Sequence, residues 1–329
     1  VTEPIPTPNP TRPVIRLGWK KILALVVSLV LLGLIFKNLN FAAFQAYFAR
    51  LNWGFLGLAS TFFVITALVS AERWRWMLLG LVELPRWTAL KIFLAAGALN
   101  IITKAGDMVK AYFLNVEGIT GLGQGLNSVI VEKLLDMAGL CVVFLLGVTL
   151  MGRFDPLVGA VMVFAFSVLT VTLLLLTLDS PSNRLFAALL KLTQGLAKGK
   201  ITRSLLEAQS FIAHLKRNPW RFWGIIGASL GVWFLHLTQI YLFFRTLNLD
   251  LPVPLVFGLA PIAILAGLLP VTLGGMGTRD AALIAIFAPY APPEQLAGIG
   301  LLISTRYWVP TLIGLPFLQR YLVLGRTQA

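Results

Sequence analysis

The run Leu157–Leu178 contains no charged residue and no proline, and as a helix it reaches about 33 Å at about 1.5 Å per residue. A bilayer's hydrocarbon core is about 30 Å thick, so the run is long enough to cross it. Ile22–Phe36 is likewise uncharged. Inside lipid the backbone must satisfy its own hydrogen bonds, which leaves helices or closed barrels. Barrel strands alternate apolar and polar residues, and no segment here does. Charged residues make up 12% of the chain and hydrophobic ones 58%, whereas soluble domains are about a quarter charged. The sequence therefore predicts an all-α, polytopic membrane protein of about six to eight transmembrane helices.

A Pro-rich polar arm over residues 1–20 precedes a retained first helix, since no small-residue cleavage site follows the apolar run. One transmembrane domain is expected over 21–317, with a tail over 318–329. The hydrophilic connection 179–221 carries apolar residues at helical spacing (Leu185, Leu189, Leu192, Leu196). That pattern fits amphipathic helices on the membrane surface. Arg73-Trp74-Arg75-Trp76 reads as an interfacial anchor closing the second segment, and Trp87, Trp220 and Trp223 as belt residues.

Two polar breaks interrupt the apolar sequence. Trp87–Thr103 and Ala105–Val116 are each short for a span and are divided by Lys104-Ala105-Gly106. Pro252–Leu269 and Gly274–Ala288 are divided by a glycine-rich break that includes Gly274, Gly275 and Gly277. Both pairs read as re-entrant or broken-helix hairpins, tolerated where protein or water satisfies the backbone. Thr103-x-x-Gly106-x-x-x-Lys110 matches Thr272-x-x-Gly275-x-x-x-Arg279 in spacing, a short echo compatible with an inverted repeat.

The formal net charge of +14 would suit nucleic acid. The basic residues, however, sit mainly between apolar runs, which is the positive-inside pattern of an inner (plasma) membrane protein and predicts no nucleic-acid partner. With both termini, the Arg73–Lys91 turn and the 179–221 connection in the cytoplasm, most of the 27 Lys and Arg lie there. The two hairpins then enter from opposite faces.

Ionisable groups within a bilayer cost about 2.5–3.5 kcal/mol each on insertion scales, so they mark cavities, ion pairs or polar ligands. Lys104, Lys110, Arg279 and Arg306 are the candidate cations, and free N–H groups at the breaks would favour the same anion. Phosphate suits such a set because a guanidinium fork holds two oxygens. The plainer reading pairs each cation with a nearby carboxylate: Asp107 with Lys110, Asp280 with Arg279. Glu132 and Asp136 share a helix face. They read as a coupling site, as counter-charges to Arg279 and Arg306, or as a cap-side cluster at the membrane boundary. His236, mid-span, reads as a hydrogen-bonding packing residue. Two histidines and one cysteine offer no zinc motif, no Gly-x-Ser-x-Gly elbow is present, and no metal or other cofactor is expected.

These residues bear a resemblance. Arg73-Trp74-Arg75-Trp76-Met77-Leu78, Asn100 through Gly106-Asp107-Met108-Val109-Lys110, Val131-Glu132-Lys133-Leu134-Leu135-Asp136, Gly274-Gly275-Met276-Gly277-Thr278-Arg279-Asp280 and Arg306 follow one another as in the transmembrane region of lysylphosphatidylglycerol synthases, the flippase-like family. Where that family usually has Pro-x-Arg-x-Gly-Glu, this chain has Thr103-Lys104-Ala105-Gly106-Asp107, and Arg279-Asp280 stands for its second Gly-Glu. The resemblance implies translocation of a lipid. No aminoacyl-transfer domain follows within the sequence, so transport without lysyl-lipid synthesis is the expectation. The substrate class it suggests is a phospholipid, an aminoacyl or glycosyl lipid, or a polyprenyl phosphate.

The leading expectation is thus a lipid flippase rather than an enzyme, its partners membrane lipids with a phosphate-bearing headgroup. Two alternatives stand beside it. One is a membrane-embedded transferase using Asp107 or Glu132 as general base. The other is a non-catalytic partner that recruits a cytosolic or membrane synthase through the basic 179–221 surface.

Overall fold

The computed structural model describes residues 26–31, 33–34, 37, 39–100, 106–152, 154–176, 200–269, 272 and 275–327. Side chains are described over the same residues except 200–205 and 324–327. Lys104, Gly274, the N-terminal arm and residues 179–199 of the connection lie outside the described residues.

The described chain is helical, without a β-strand element among the described residues. In order, the helices are α1 Phe41–Ala49, α2 Trp53–Leu78, α3 Arg86–Leu99, a 3-10 turn Gly106–Met108, α4 Val109–Val116, α5 Leu122–Met151 and α6 Pro156–Leu176. They continue as α7 Lys200–Lys216, α8 Pro219–Thr246, α9 Val253–Leu268, α10 Thr278–Phe287 and α11 Pro293–Thr327. Five of these, α2, α5, α6, α8 and α11, are long and apolar enough to cross a membrane.

Local chemistry sets the ends. The Asn52 side chain accepts from the Gly54 and Phe55 amides to start α2, and Asn218 accepts from Arg221 N ahead of Pro219 to start α8. Helix α5 stops at Gly152, whose φ of 67° is the left-handed C-terminal conformation glycine adopts freely. The last helix does not stop at 317. It runs through Pro310 and Pro316 to Thr327, because its far end is packed: Leu318 and Tyr321 are buried and Tyr321 stacks on Phe113 at 4.5 Å. Residues 318–321 are therefore part of the helix assembly rather than a free tail.

The apolar side chains form two cores, and the long helices α2, α5, α8 and α11 pass through both. One core gathers the N-terminal part of α2, the C-terminal half of α5, α6, the C-terminal half of α8, α9, α10 and the first half of α11. The other gathers the C-terminal end of α2, α3, α4, the first half of α5, α7, the start of α8 and the end of α11. The two short-helix pairs thus occupy opposite ends of a frame of four long helices.

Helix backbones touch where glycine allows it. A Cβ on Gly147 would lie 2.4 Å from the Gly258 amide nitrogen, so α5 and α9 cross in direct backbone contact. A Cβ on Gly314 would lie 2.1 Å from the Leu94 carbonyl oxygen, which fixes the α11–α3 crossing in the same way. Close approach at small residues is how helices gain van der Waals contact in lipid, where no hydrophobic force drives them together.

Candidate functional site

A pair of short helices flanks each polar break. Helix α3 is 14 residues long and α4 only 8, about 21 and 12 Å, and neither alone spans a hydrocarbon core. Gly106 lies against the end of α3, where a Cβ would stand 2.8 Å from Asn100 N. The second pair, α9 and α10, has 16 and 10 residues. Gly275 closes it with φ 79°, at a point where a Cβ would meet the Gly267 carbonyl oxygen at 2.5 Å. Only glycine combines that φ with that approach. Gly277 (φ 97°) follows and presents its amide to Asp280 Oδ2 at 3.1 Å, a carboxylate on the first turn of α10.

Between the two cores lies a layer of charge, and most of it closes into a ring. Arg73 on α2 donates from Nη2 to Glu132 Oε1 at 3.1 Å and from Nη1 to Asp136 Oδ1 at 2.6 Å. Lys110 on α4 contacts the other oxygen of Glu132 and lies 3.9 Å from Asp107. Lys133 contacts Asp107 and stands 3.4 Å from Asp136. Arg73–Glu132–Lys110–Asp107–Lys133–Asp136 is therefore a closed circuit of alternating sign and zero net charge. Asn100 Nδ2 donates to Asp107 at 3.2 Å and Arg73 Nη1 to Ser229 Oγ at 3.1 Å. Lys110 also sits 5.3 Å from the centroids of Trp74 and Phe93. Giving each ion two opposite neighbours is what makes such burial tolerable, since single buried pairs seldom recover their desolvation cost.

Several sequence readings change here. Arg73 and Trp74 are buried among the helices; the Trp74 indole donates to Ser128 Oγ at 3.1 Å. Only Arg75 and Trp76 of that motif keep partial exposure, both bound to Glu72. Glu132 and Asp136 balance Arg73, Lys110 and Lys133, and neither pairs with Arg279 or Arg306. The cap-side reading fails as well, because α5 begins ten residues before Glu132, which is buried. The unanticipated members are Arg73 and Lys133, with Ser229 bonded to Arg73 beside them. A signal existed for Arg73: Thr66, Ser70, Arg73 and Met77 recur at helical spacing and are all buried, a polar inward face.

A second, smaller centre stands at the start of α10. Arg279 donates to Asp280 Oδ1 from Nε at 3.0 Å and from Nη2 at 2.6 Å. The same Nη2 reaches Ser304 Oγ at 2.7 Å and the Gly300 carbonyl at 3.2 Å. Tyr307 lies under the guanidinium at 5.6 Å. The Nη1 of Arg279 is buried without an acceptor.

Arg306 differs from every other candidate cation. It makes no ion pair among the described residues, and its Nε is buried without an acceptor. Arg279 is its charged neighbour, and the carboxylate of Asp280 is bonded to Arg279. Arg306 and Lys133 both keep part of their side chains exposed. Among the described residues the site is thus a neutral ring, a neutral pair and one cation without a counter-charge.

The family model for the lysylphosphatidylglycerol synthase TM region matches residues 21–314. The chain belongs to that family. The lysylphosphatidylglycerol synthase TM region match takes in the ring, both glycine hairpins and Arg306. The chain is also similar to the UPF0104 membrane protein MJ1595 of Methanocaldococcus jannaschii, 22% identical over 315 residues, 90% of this chain and 93% of that one.

Proposed function

We propose that the protein carries a phosphate-bearing lipid across the bilayer, its headgroup held in a cleft at Arg306 and its tails against the apolar helix faces. The observation that supports this most directly is the guanidinium of Arg306, whose Nε is buried without an acceptor and which has no counter-ion among the described residues. An uncompensated cation in low dielectric is costly and is relieved by an anion. Arg279 Nη1 adds a second donor in want of an acceptor. Lys110 belongs to the ring rather than to the headgroup site.

The hairpins at opposite ends of the frame favour the inverted-repeat reading, with each pair re-entering from its own face and the cleft opening alternately past one or the other. Cytoplasmic termini in the plasma membrane complete this reading. A transferase gains less support, because Asp107 and Glu132 are each held by cations and so are poorly placed as general bases. Recruitment of a synthase through the basic connection draws only on its charge.

Reconstitution in liposomes with fluorescent phosphatidylglycerol, phosphatidylethanolamine and a polyprenyl phosphate tests the proposal. With wild type, the dithionite-accessible fraction of an anionic lipid should change with time; with Arg306→Gln it should not. Equal behaviour of the two proteins would overturn the assignment.

A further inference from the structure

Helix α8 meets the ring at Ser229 and packs against α11, the helix that carries Arg306. Ser229, Trp233 and His236 recur at i, i+4 and i+7, so they share one face, with Ser229 and His236 about 10 Å apart along the axis. Ser229 Oγ meets Arg73 of the ring. Trp233 lies across Gly139 of α5, where a Cβ would be 2.7 Å from its Cδ1. His236 packs edge-on against Trp233 with centroids 5.5 Å apart. Both Trp233 Nε1 and His236 Nδ1 are buried without a hydrogen-bond partner.

The charge bearing on His236 most is Arg306 of α11, followed by Arg73 of α2 and Lys133 of α5. Glu132 and Asp136 are committed to the ring, and Asp280 to Arg279. Helix α9 carries no titratable side chain. Helix α7 docks at the far, N-terminal end of α8, where His214 meets Arg221. Among the described residues the imidazole makes no ion pair with a carboxylate, and the charges that act on it are cationic. As a packing residue it would be expected to spend its ring nitrogens on the helices around it, yet Nδ1 has no partner.

We propose that His236 is the proton-binding residue of an anion–proton symport at the Arg306 site. The inference rests on the anionic-headgroup reading above. An anion settling between Arg306 and His236 supplies the negative charge that the imidazolium lacks, so proton and headgroup bind together. By linkage each raises the affinity for the other. The proton enters from the aqueous phase on one side, forms the second ring N–H bond on His236, and leaves to the other side when the headgroup departs.

The test measures proton uptake on binding. The purified full chain in detergent is titrated calorimetrically with dioctanoyl phosphatidylglycerol at pH 5.5–8.5, in two buffers of different ionisation enthalpy. A phosphodiester has no proton of its own to exchange in that range, so uptake reports on the protein. Wild type should take up a proton fraction that rises toward one per lipid bound over part of the pH range. His236→Gln should bind with none, and Arg306→Gln should bind at least tenfold more weakly. Lipid binding without proton uptake by wild type, or equal uptake by His236→Gln, overturns the symport and leaves headgroup binding standing. No binding to wild type, repeated with dioctanoyl phosphatidic acid, overturns both.

Discussion

Arg73 and Glu132 meet at 3.1 Å, Nη2 to Oε1, with both side chains almost wholly buried. Because each is also bonded onward, to Asp136 and Lys110, their pair is one link of a circuit rather than an isolated bridge. Removing Arg73 strands Glu132 and Asp136 with less than their share of positive charge. Arg73→Ala should lower stability by about 3–5 kcal/mol, the usual result of breaking a buried pair from one side. Arg86→Ala, which removes an exposed contact to Glu72 at 3.5 Å, should cost less than about 1 kcal/mol. Thermal unfolding of the two variants in detergent makes the comparison.

Arg306 predicts the opposite dissociation between stability and activity. With no carboxylate to strand, Arg306→Gln should leave the unfolding temperature unchanged or raise it while abolishing lipid movement. Arg279→Gln leaves Asp280 buried without its guanidinium and should lower the unfolding temperature by several degrees. Thermal scans run beside the liposome assay separate the two arginines.

The glycine crossings predict a graded series. Gly147→Leu must part α5 from α9 and Gly314→Leu must part α11 from α3, each costing at least about 1–3 kcal/mol for overpacking. Gly97→Ala and Gly159→Ala have open space around the added Cβ and should stabilise their helices by about 0.5–1 kcal/mol. Folded yield and unfolding temperature report the order.

Outside the spans, His214 on α7 makes the α2 terminus pH-sensitive. Its Nε2 lies 3.0 Å from the Leu79 carbonyl oxygen, which Arg221 Nη1 also contacts. Burial, with Arg221 and Arg217 nearby, holds the imidazole below its ordinary value of 6.5, against the opposing pull of the Leu79 bond. The undocked ring therefore binds a proton more readily than the docked one. Docking of α7 is strongest above pH 6.5 and weakens as pH falls from there toward the docked value. Amide exchange over residues 206–215, corrected for intrinsic rates, should quicken between pH 7.5 and 5.5, and His214→Gln should remove the dependence.

Composition alone made the spans legible: the uncharged run at 157–178 became α6, Pro156–Leu176, with little room for another outcome. The glycine breaks were legible too, because Gly106 and Gly275 stand beside charge in apolar sequence. Partners were not. Lys110 finds Glu132 22 residues on, and Arg73 finds it across 59, and both depend on how helices rotate about their axes. The Arg-Trp-Arg-Trp motif shows the difficulty: Arg73 and Trp74 turn inward while Arg75 keeps partial exposure, a matter of one helical step. Helix α11 passes Pro310 and Pro316 because neighbouring helices support what a soluble helix would lose there.

The separation of Arg73 from Glu132 also has a consequence for biogenesis. At about 5–20 residues per second a ribosome delivers Glu132 roughly 3–12 s after Arg73, so the guanidinium leaves the exit tunnel well before its counter-ion exists. Until α5 arrives, the end of α2 is best kept at the aqueous boundary. The circuit closes only once α5 is present, so the paired burial of Arg73 waits on that helix.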